Sequence, residues 1–442
     1  MFNADLKLLS SLAGVGPAQT GIVNRARWAQ GVGHSQMGES AMDWSQLLAT
    51  RMGRMKASEI RELLKLLDQP DIISFAGGIP DPALFPAEAF SRAFADAMRP
   101  GEAGVALQYS VSEGYKPLRE WIAARMAGLG VPCDTDNILI TSGSQQALDY
   151  LGKLLLSPGD TAMVTWPTYL GALGAFNAYE PRYMRLDPMR NAEPAALAAE
   201  AAEAGSRIKF AYLSADFANP TGETLSRAGR EALLDRAAAL DIAVIEDAAY
   251  QELRYDGTPV PPILALDVAR SGDIERTRTI YCGSFSKTLA PGLRVGWVCA
   301  AKEVIGRLVL MKQAADLHSP TLNQIATNHV ARAEFDAHVA RIKAVYAARR
   351  DRMLAALDRE MPKSVRFTRP EGGMFVWLTL PEGIDAAELL ARAVRDERVA
   401  FVPGGAFFAD GSGRNTLRLS FSCASDAQID EGIARLARLL RD

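Results

Sequence analysis

Residues 281–297 read Tyr281-Cys-Gly-Ser-Phe-Ser-Lys-Thr-Leu-Ala-Pro-Gly-Leu-Arg-Val-Gly-Trp297. A short apolar run, Thr279 to Cys282, gives way to small hydroxylated residues, then Lys287, then the turn pair Pro291-Gly292. Arg294 leads into a second apolar run. The pattern predicts a strand, a reactive loop and a strand. Lys287 is the only cation between Arg278 and Arg294. A lysine in a partly desolvated site near other cations has a lowered pKa, and its neutral amine attacks carbonyl carbon. Ser284, Ser286 and Arg294 add hydroxyl donors and a bidentate cation, the equipment for gripping a phosphate. Taken alone, the run equally describes an ordinary exposed lysine in a serine-rich loop, so its meaning depends on the rest of the chain.

Working outward, the apolar runs Ile138 to Thr141, Ala162 to Thr165, Arg182 to Leu186, Lys209 to Leu213, Ala243 to Glu246, Thr279 to Cys282 and Val295 to Cys299 are separated by helical segments such as Arg227 to Leu240. Such alternation predicts a mostly parallel sheet covered on both faces, with ligands at the carboxyl ends of its strands. A helix is expected from Ala87 to Met98 and another opened by Pro117. Leu107 to Tyr115 reads as a polar loop with two tyrosines. Beyond His318-Ser-Pro320 comes a helix from about Thr321 to Glu360, whose charges Arg341, Lys343, Arg349, Arg350, Asp351 and Arg352 read as a solvated face. Strands at Val365 to Thr368, Gly373 to Leu378, Val399 to Val402 and Thr416 to Phe421, with helices at Ala386 to Arg395 and Asp426 to Leu440, make a second, α+β region.

At 442 residues two domains are the default. The net charge of -3 gives no electrostatic case for nucleic acid or an acidic membrane. Four cysteines without C-x-x-C spacing argue for reduced thiols in a cytosolic compartment and against zinc. The four histidines show no ligand spacing, so no metal is expected. No apolar run approaches the length of about 18 residues that a membrane helix needs. Residues 1–41 read as a poorly ordered leader. Residues 42–86 read as an arm and helix, with Ser58 at a helix start and Arg61 in its first turn.

Several motifs gather around the lysine. Ser142-Gly-Ser-Gln-Gln146 lies between a strand and a helix, where amides and the helix's positive end are free for an anion. Asn219-Pro-Thr-Gly222 follows the strand at Leu213 and also reads as a plain turn. Glu246-Asp-Ala-Ala-Tyr250 puts an acid at a strand end with a tyrosine three residues on. One cofactor uses all these parts, pyridoxal 5′-phosphate. Asp247 would keep its pyridine nitrogen protonated, Tyr250 and Asn219 would bond the phenolic oxygen, and Tyr169 would stack on the ring. Arg418, without an obvious acid beside it, suits a substrate carboxylate.

On these motifs the chain resembles the fold-type I, class I/II pyridoxal-phosphate-dependent aminotransferases. The likeness is strongest to the 2-aminoadipate and kynurenine aminotransferase subgroup. It is carried by Ser58 to Leu64, Ser74-Phe-Ala-Gly-Gly-Ile-Pro80, Leu107-Gln-Tyr-Ser110, Gly143 to Leu148, Gly283 to Arg294, Gly372-Gly-Met-Phe-Val-Trp377 and Phe401-Val-Pro-Gly404. The resemblance implies an α/β fold: a mostly parallel seven-stranded sheet in a cofactor domain at 87–319, and a smaller α+β domain at 320–442. It implies that Lys287 anchors the cofactor and shuttles a proton between Cα and C4′. Ser144, Gln145, Ser284, Ser286 and Arg294 hold the phosphate, and Tyr109 reaches it from the other subunit of a homodimer. Asn219 and Arg418 grip the α-carboxylate, while Ser58, Arg61, Gly77 and Gly78 border the substrate side chain. The Ala-Asp-Phe-Ala run before Asn219 departs from the subgroup's spelling and leaves the preferred side chain open.

The expected reaction is ping-pong transfer of an amino group from an L-amino acid to a 2-oxo acid, 2-oxoglutarate, in the cytoplasm. A β-lyase on the same fold shares the electron sink and stays open on residue identities. A non-catalytic ligand sensor of a transcription regulator is disfavoured, because the leader is short and weakly basic for a DNA-binding module.

Overall fold

A computed structural model describes residues 44–55 and 71–441. A two-residue strand, β1 (Ile73–Ser74), precedes the seven that form the large sheet. These are β2 (Ile138–Thr141), β3 (Thr161–Thr165), β4 (Arg182–Leu186), β5 (Ile208–Leu213), β6 (Ala243–Asp247), β7 (Thr279–Ser284) and β8 (Gly296–Cys299), in the order β2-β8-β7-β6-β5-β3-β4. Only β8 runs against its neighbours β2 and β7; the pairings through β7, β6, β5, β3 and β4 are parallel.

Strands such as Thr-Ile-Tyr-Cys-Gly-Ser in β7 are buried along their whole length. A parallel sheet covered on both faces requires this. Successive residues serve opposite cores. Leu139, Ala162, Val164, Ile280 and Cys282 pack with the helices Ser144–Leu155, Leu170–Asn177 and Lys302–Ala315. Ile138, Ile140 and Tyr281 face the helices Ala87–Ala97 and Lys116–Gly128. Met163, Ala211 and Val244 face Pro194–Glu203 and Arg227–Leu240.

A second sheet of order β12-β13-β10-β9 combines β9 (Arg366–Phe367), β10 (Phe375–Thr379), β12 (Val402–Pro403) and β13 (Thr416–Ser420). Its helices are Ala386–Asp396 and Asp426–Arg441. β11 (Val399–Ala400) pairs in parallel with β1. The apolar run Val399 to Val402, read as one strand, is therefore two: its first half joins β1 and its second joins β13, with buried Phe401 between them.

The helix Thr321–Glu360 has the bounds expected from its pattern. At 1.5 Å per residue it is about 60 Å long and serves both cores. Val330, Phe335 and Val339 belong to the first; Ile342, Tyr346, Met353 and Leu357 belong to the second. Its basic run is not simply a solvated face. Arg350 is buried, with Asp256 at 2.6 Å and the Pro370 carbonyl at 2.9 Å. Arg349 pairs with Asp81 at 2.7 Å. Ser58, Arg61 and the leader lie outside the described residues.

Candidate active site

The loops of interest leave the carboxyl ends of the strands of the large sheet, where open α/β sheets collect their ligands. β7 ends at Ser284 and delivers Lys287 three residues on. The Lys287 Nζ donates to the Gly78 carbonyl at 3.1 Å and lies 5.7 Å from the centre of the Tyr250 ring. Burial first, then the cations Arg418 and Arg294, pull its pKa from the ordinary lysine range down to about 8, with Asp247 opposing them. The amine is therefore partly neutral at physiological pH, as a carbonyl nucleophile must be.

Asp247 is the last residue of β6 and is buried. Its Oδ2 accepts from the Tyr212 hydroxyl at 2.8 Å, while its Oδ1 is buried without a partner. Burial raises this carboxyl to about 6, against the bonds from Tyr212 and the Ala249 amide and the charge of Lys287. A buried carboxylate oxygen without a partner is costly unless a ligand donor meets it. Tyr212, on the neighbouring β5, is the residue that sequence reasoning passed over. The available signal was a hydroxyl in the otherwise apolar run Phe210-Ala-Tyr-Leu213 of a doubly covered strand.

Asn219 Oδ1 accepts from Arg418 Nη1 at 2.8 Å, and Asn219 is also hydrogen-bonded to the Tyr250 hydroxyl. Burial pushes Tyr250 and Tyr169 above the ordinary tyrosine range. Arg418 projects from β13 and is 1% exposed. Its Nη2 donates to the Ala76 carbonyl at 2.9 Å, and its Nε has no partner. The guanidinium lies 4.3 Å from the centre of the Phe375 ring and 5.2 Å from that of Phe407. Burial lowers its pKa to about 10, opposed by Tyr250 and Tyr169, and among the described residues no carboxylate pairs with it. Gly78 borders this group: a Cβ there would stand 3.4 Å from Arg418 Nη2 and 3.2 Å from the Phe375 ring.

An anion cup lies at the far end. The stretch expected as a turn, Ser142 to Gln146, already contains the first helical turn, because the helix begins at Ser144 with Gly143 as its cap at φ 77°. Arg294, itself at φ 54°, lies against Gly143 and donates to the Ser142 carbonyl at 3.0 Å. Gly296 presses on the Ser144 amide, where a Cβ would stand only 2.7 Å away. The pairing of Ser284 with Gly296 brings Ser284 into the same place, and the Ser286 amide donates to its Oγ at 3.1 Å. Gln145 donates to the Gly171 carbonyl at 2.7 Å, next to the Tyr169 ring. Helix-start amides, two hydroxyls and a cation without an ion-pair partner among the described residues are a phosphate-binding set.

The structure thus brings together Lys287, Asp247, Tyr250, Asn219, Tyr169, Arg418 and Gly78, with Ser144, Ser284, Ser286 and Arg294 adjoining. Tyr109 stands apart, 79% exposed, its ring edge-on to His318 at 6.0 Å.

The family Aminotransferase class I and II matches residues 70–436. The 2-aminoadipate transaminase of Thermus thermophilus is 44% identical over 405 residues, covering 90% of this chain and 98% of that protein. The solved structure of a Thermus thermophilus α-aminoadipate aminotransferase, complexed with N-(5′-phosphopyridoxyl)-L-leucine, aligns with a TM-score of 0.81 at 42% identity, over 90% of this chain and 98% of that one. That of the Pyrococcus horikoshii kynurenine aminotransferase aligns with a TM-score of 0.82 at 41% identity, over 90% and 98%. The chain belongs to the class I and II aminotransferases. It is a pyridoxal-phosphate-dependent transaminase similar to the 2-aminoadipate and kynurenine enzymes, as its motifs implied. The residues present fit that cofactor: the unpartnered Asp247 Oδ1 suits a protonated ring nitrogen, and the cup at Gly143 and Ser144 suits a phosphate.

Proposed function

We propose that this transaminase works by a ping-pong mechanism, taking the amino group of an L-amino acid of 2-aminoadipate, aromatic or kynurenine, or branched-chain type and giving it to 2-oxoglutarate. The observation that carries this reading is Arg418, a buried guanidinium with no acidic partner among the described residues, joined through Asn219 to Tyr250. Donor and acceptor share the carboxylate such a cation binds, so one grip serves both half-reactions. The leucine adduct of the Thermus relative supports an apolar side chain beside a dicarboxylic one.

Pyridoxal phosphate, when bound, supplies an aldehyde that takes up the amino group and a ring that withdraws electrons from the substrate Cα. Lys287 holds the aldehyde carbon and, as the free amine, moves the proton between Cα and C4′. Asp247 keeps the proton on the ring nitrogen through Oδ1, aligned by Tyr212. Tyr250 and Asn219 bond the phenolic oxygen, and Tyr169 stacks on the ring. Ser144, Gln145, Ser284, Ser286 and Arg294 hold the phosphate. Gly78, with Ser58 and Arg61 beyond the described residues, borders the side chain of the substrate.

The active unit is a homodimer in which Tyr109 of each copy completes the phosphate site of the other. Met98, Val105, Leu107, Tyr109 and Val111, exposed within one short stretch, support that contact surface. The cofactor domain is assigned to residues 87–319 and the smaller one to 320–442, with the helix Thr321–Glu360 reaching from the second into the core of the first, and β1 of the arm at 42–86 pairing with β11 of the smaller domain. Four unpaired cysteines support a cytoplasmic location. The test is a panel of amino donors (2-aminoadipate, kynurenine, tryptophan, leucine and glutamate) against 2-oxoglutarate. At least one non-glutamate donor is expected to yield glutamate; none doing so refutes the assignment.

A further inference from the structure

Behind the anion cup lies a polar cluster that takes no part in the roles assigned above. Lys312, on the helix Lys302–Ala315, has a wholly buried side chain. Its Nζ donates to the two Asp316 carboxylate oxygens at 2.9 and 3.0 Å and to Gln146 Oε1 at 3.0 Å. Asp316 also accepts from Gln146 Nε2 at 2.7 Å, from the Tyr150 hydroxyl at 3.3 Å and from Ser142 Oγ at 3.4 Å. Burial alone would raise the Asp316 carboxyl, but the bonds from Gln146 and Lys312 hold it below its ordinary range. Burial lowers the pKa of the Lys312 amine, against the bond to Asp316 and its charge.

All this bonding converges on one residue. The Ser142 amide donates to Gln146 Oε1 at 2.8 Å, its carbonyl accepts from Arg294, and its Oγ meets Ser319 Oγ at 3.1 Å as well as Asp316. Every polar atom of Ser142 is thus engaged, its amide and hydroxyl from behind and its carbonyl by Arg294 of the cup. Gly143 then turns the chain, and among the described residues the amides of Ser144 and Gln145 are left without acceptors. An ion pair whose lysine is wholly buried but whose aspartate side chain is 31% exposed adds little stability. What it does provide is direction, because hydrogen bonds fix the orientation of a peptide plane and apolar contacts do not.

We propose that Lys312, Asp316 and Gln146 are positioning residues for the phosphate of the cofactor: they lock the Ser142 peptide so that the helix-start amides aim at the anion. The proposal rests on the assignment of the phosphate to Ser144, Gln145, Ser284, Ser286 and Arg294. It distinguishes this cluster from those residues, because none of its three side chains need touch the cofactor.

The test compares retention of pyridoxal phosphate with retention of pyridoxal, which lacks the phosphate, by the full-length holoenzyme on serial dilution, read by absorbance. Two variants probe the cluster: Gln146→Leu, and the double replacement K312M/D316L, which leaves no unpaired buried charge and so protects folding. Arg294→Ala is the control for the phosphate assignment. Each cluster variant is expected to weaken retention of pyridoxal phosphate by about tenfold or more, the size of effect typical for a residue that orients a ligand-binding group, while pyridoxal is retained as in the parent. Equal losses for both ligands would reduce the cluster to a structural role and overturn the proposal. So would unchanged retention in the cluster variants while Arg294→Ala loses its preference for the phosphorylated form. If Arg294→Ala keeps that preference, the phosphate assignment itself falls, and the proposal with it.

Discussion

Replacing Arg418 by methionine removes the charge while keeping an apolar stem against Phe375 and Phe407. The wild-type guanidinium is 1% exposed, and the bonds it makes in this structure go to neutral oxygens, Asn219 Oδ1 at 2.8 Å and the Ala76 carbonyl at 2.9 Å. A substrate carboxylate would therefore meet an unneutralised cation. Two unit charges about 4 Å apart attract by about 4 kcal/mol at an effective dielectric constant of about 20. Truncating one side of a buried, hydrogen-bonded charge pair costs about 2–5 kcal/mol. The expected loss in kcat/KM is thus between about thirtyfold and about five-thousandfold. The assay is single-turnover conversion of the enzyme by an L-amino acid, set beside the amine with the same side chain but no α-carboxylate. Only the amino acid should slow. If the amine slows equally, or the amino acid loses less than about tenfold, Arg418 does not grip the carboxylate.

Attachment of pyridoxal phosphate to Lys287 should accelerate with rising pH. The folded-state pKa of about 8 lies below that of a free lysine, so the reactive neutral form grows through that value and falls about tenfold per unit well below it. Rates followed by absorbance between about pH 6 and 9 check this, and in Arg418→Met, which loses one of the depressing cations, the midpoint should move up. Asp247→Asn should bind cofactor but lower kcat by about a hundredfold or more, since an amide cannot hold the ring nitrogen protonated; near-normal kcat would remove Asp247 from that role. Asp216→Ala takes from the wholly buried Arg230 its close partner at 2.8 Å, leaving Glu246 at 3.8 Å, and takes from Arg254 its buried partner at 3.4 Å. A urea titration should show about 3–5 kcal/mol lost; a change under about 1 kcal/mol would contradict the reading of that network as structural.

The alternation of apolar runs made the large sheet legible, because doubly covered strands need side chains that water would reject on both faces. Thr321 to Glu360 was legible for the opposite reason: its 3.6-residue period runs on without glycine or proline. Boundaries were less so. Ser144 starts its helix inside what read as a turn because Gly143, not a hydroxylated residue, caps it. Val399 to Val402 divides between two pairings, a choice made by distant partners rather than by the run itself. In the site, Lys287, Asp247 and Arg418 each carried a local anomaly, a charge within apolar or small-residue surroundings. Tyr212 carried only a weak one, a hydroxyl in an apolar run, and the Lys312–Asp316 pair none. A tyrosine suits any strand, and a Lys and an Asp four residues apart look like an ordinary surface pair on a helix until Gln146 and Ser142, far away in sequence, are brought against them.

The central claim is that one amine, Lys287 Nζ, bonds the cofactor covalently. Borohydride reduction of the holoenzyme followed by peptide mapping should place a pyridoxyl group on the peptide containing Lys287 and on no other. A tag on any other lysine, or none at all, would contradict the account.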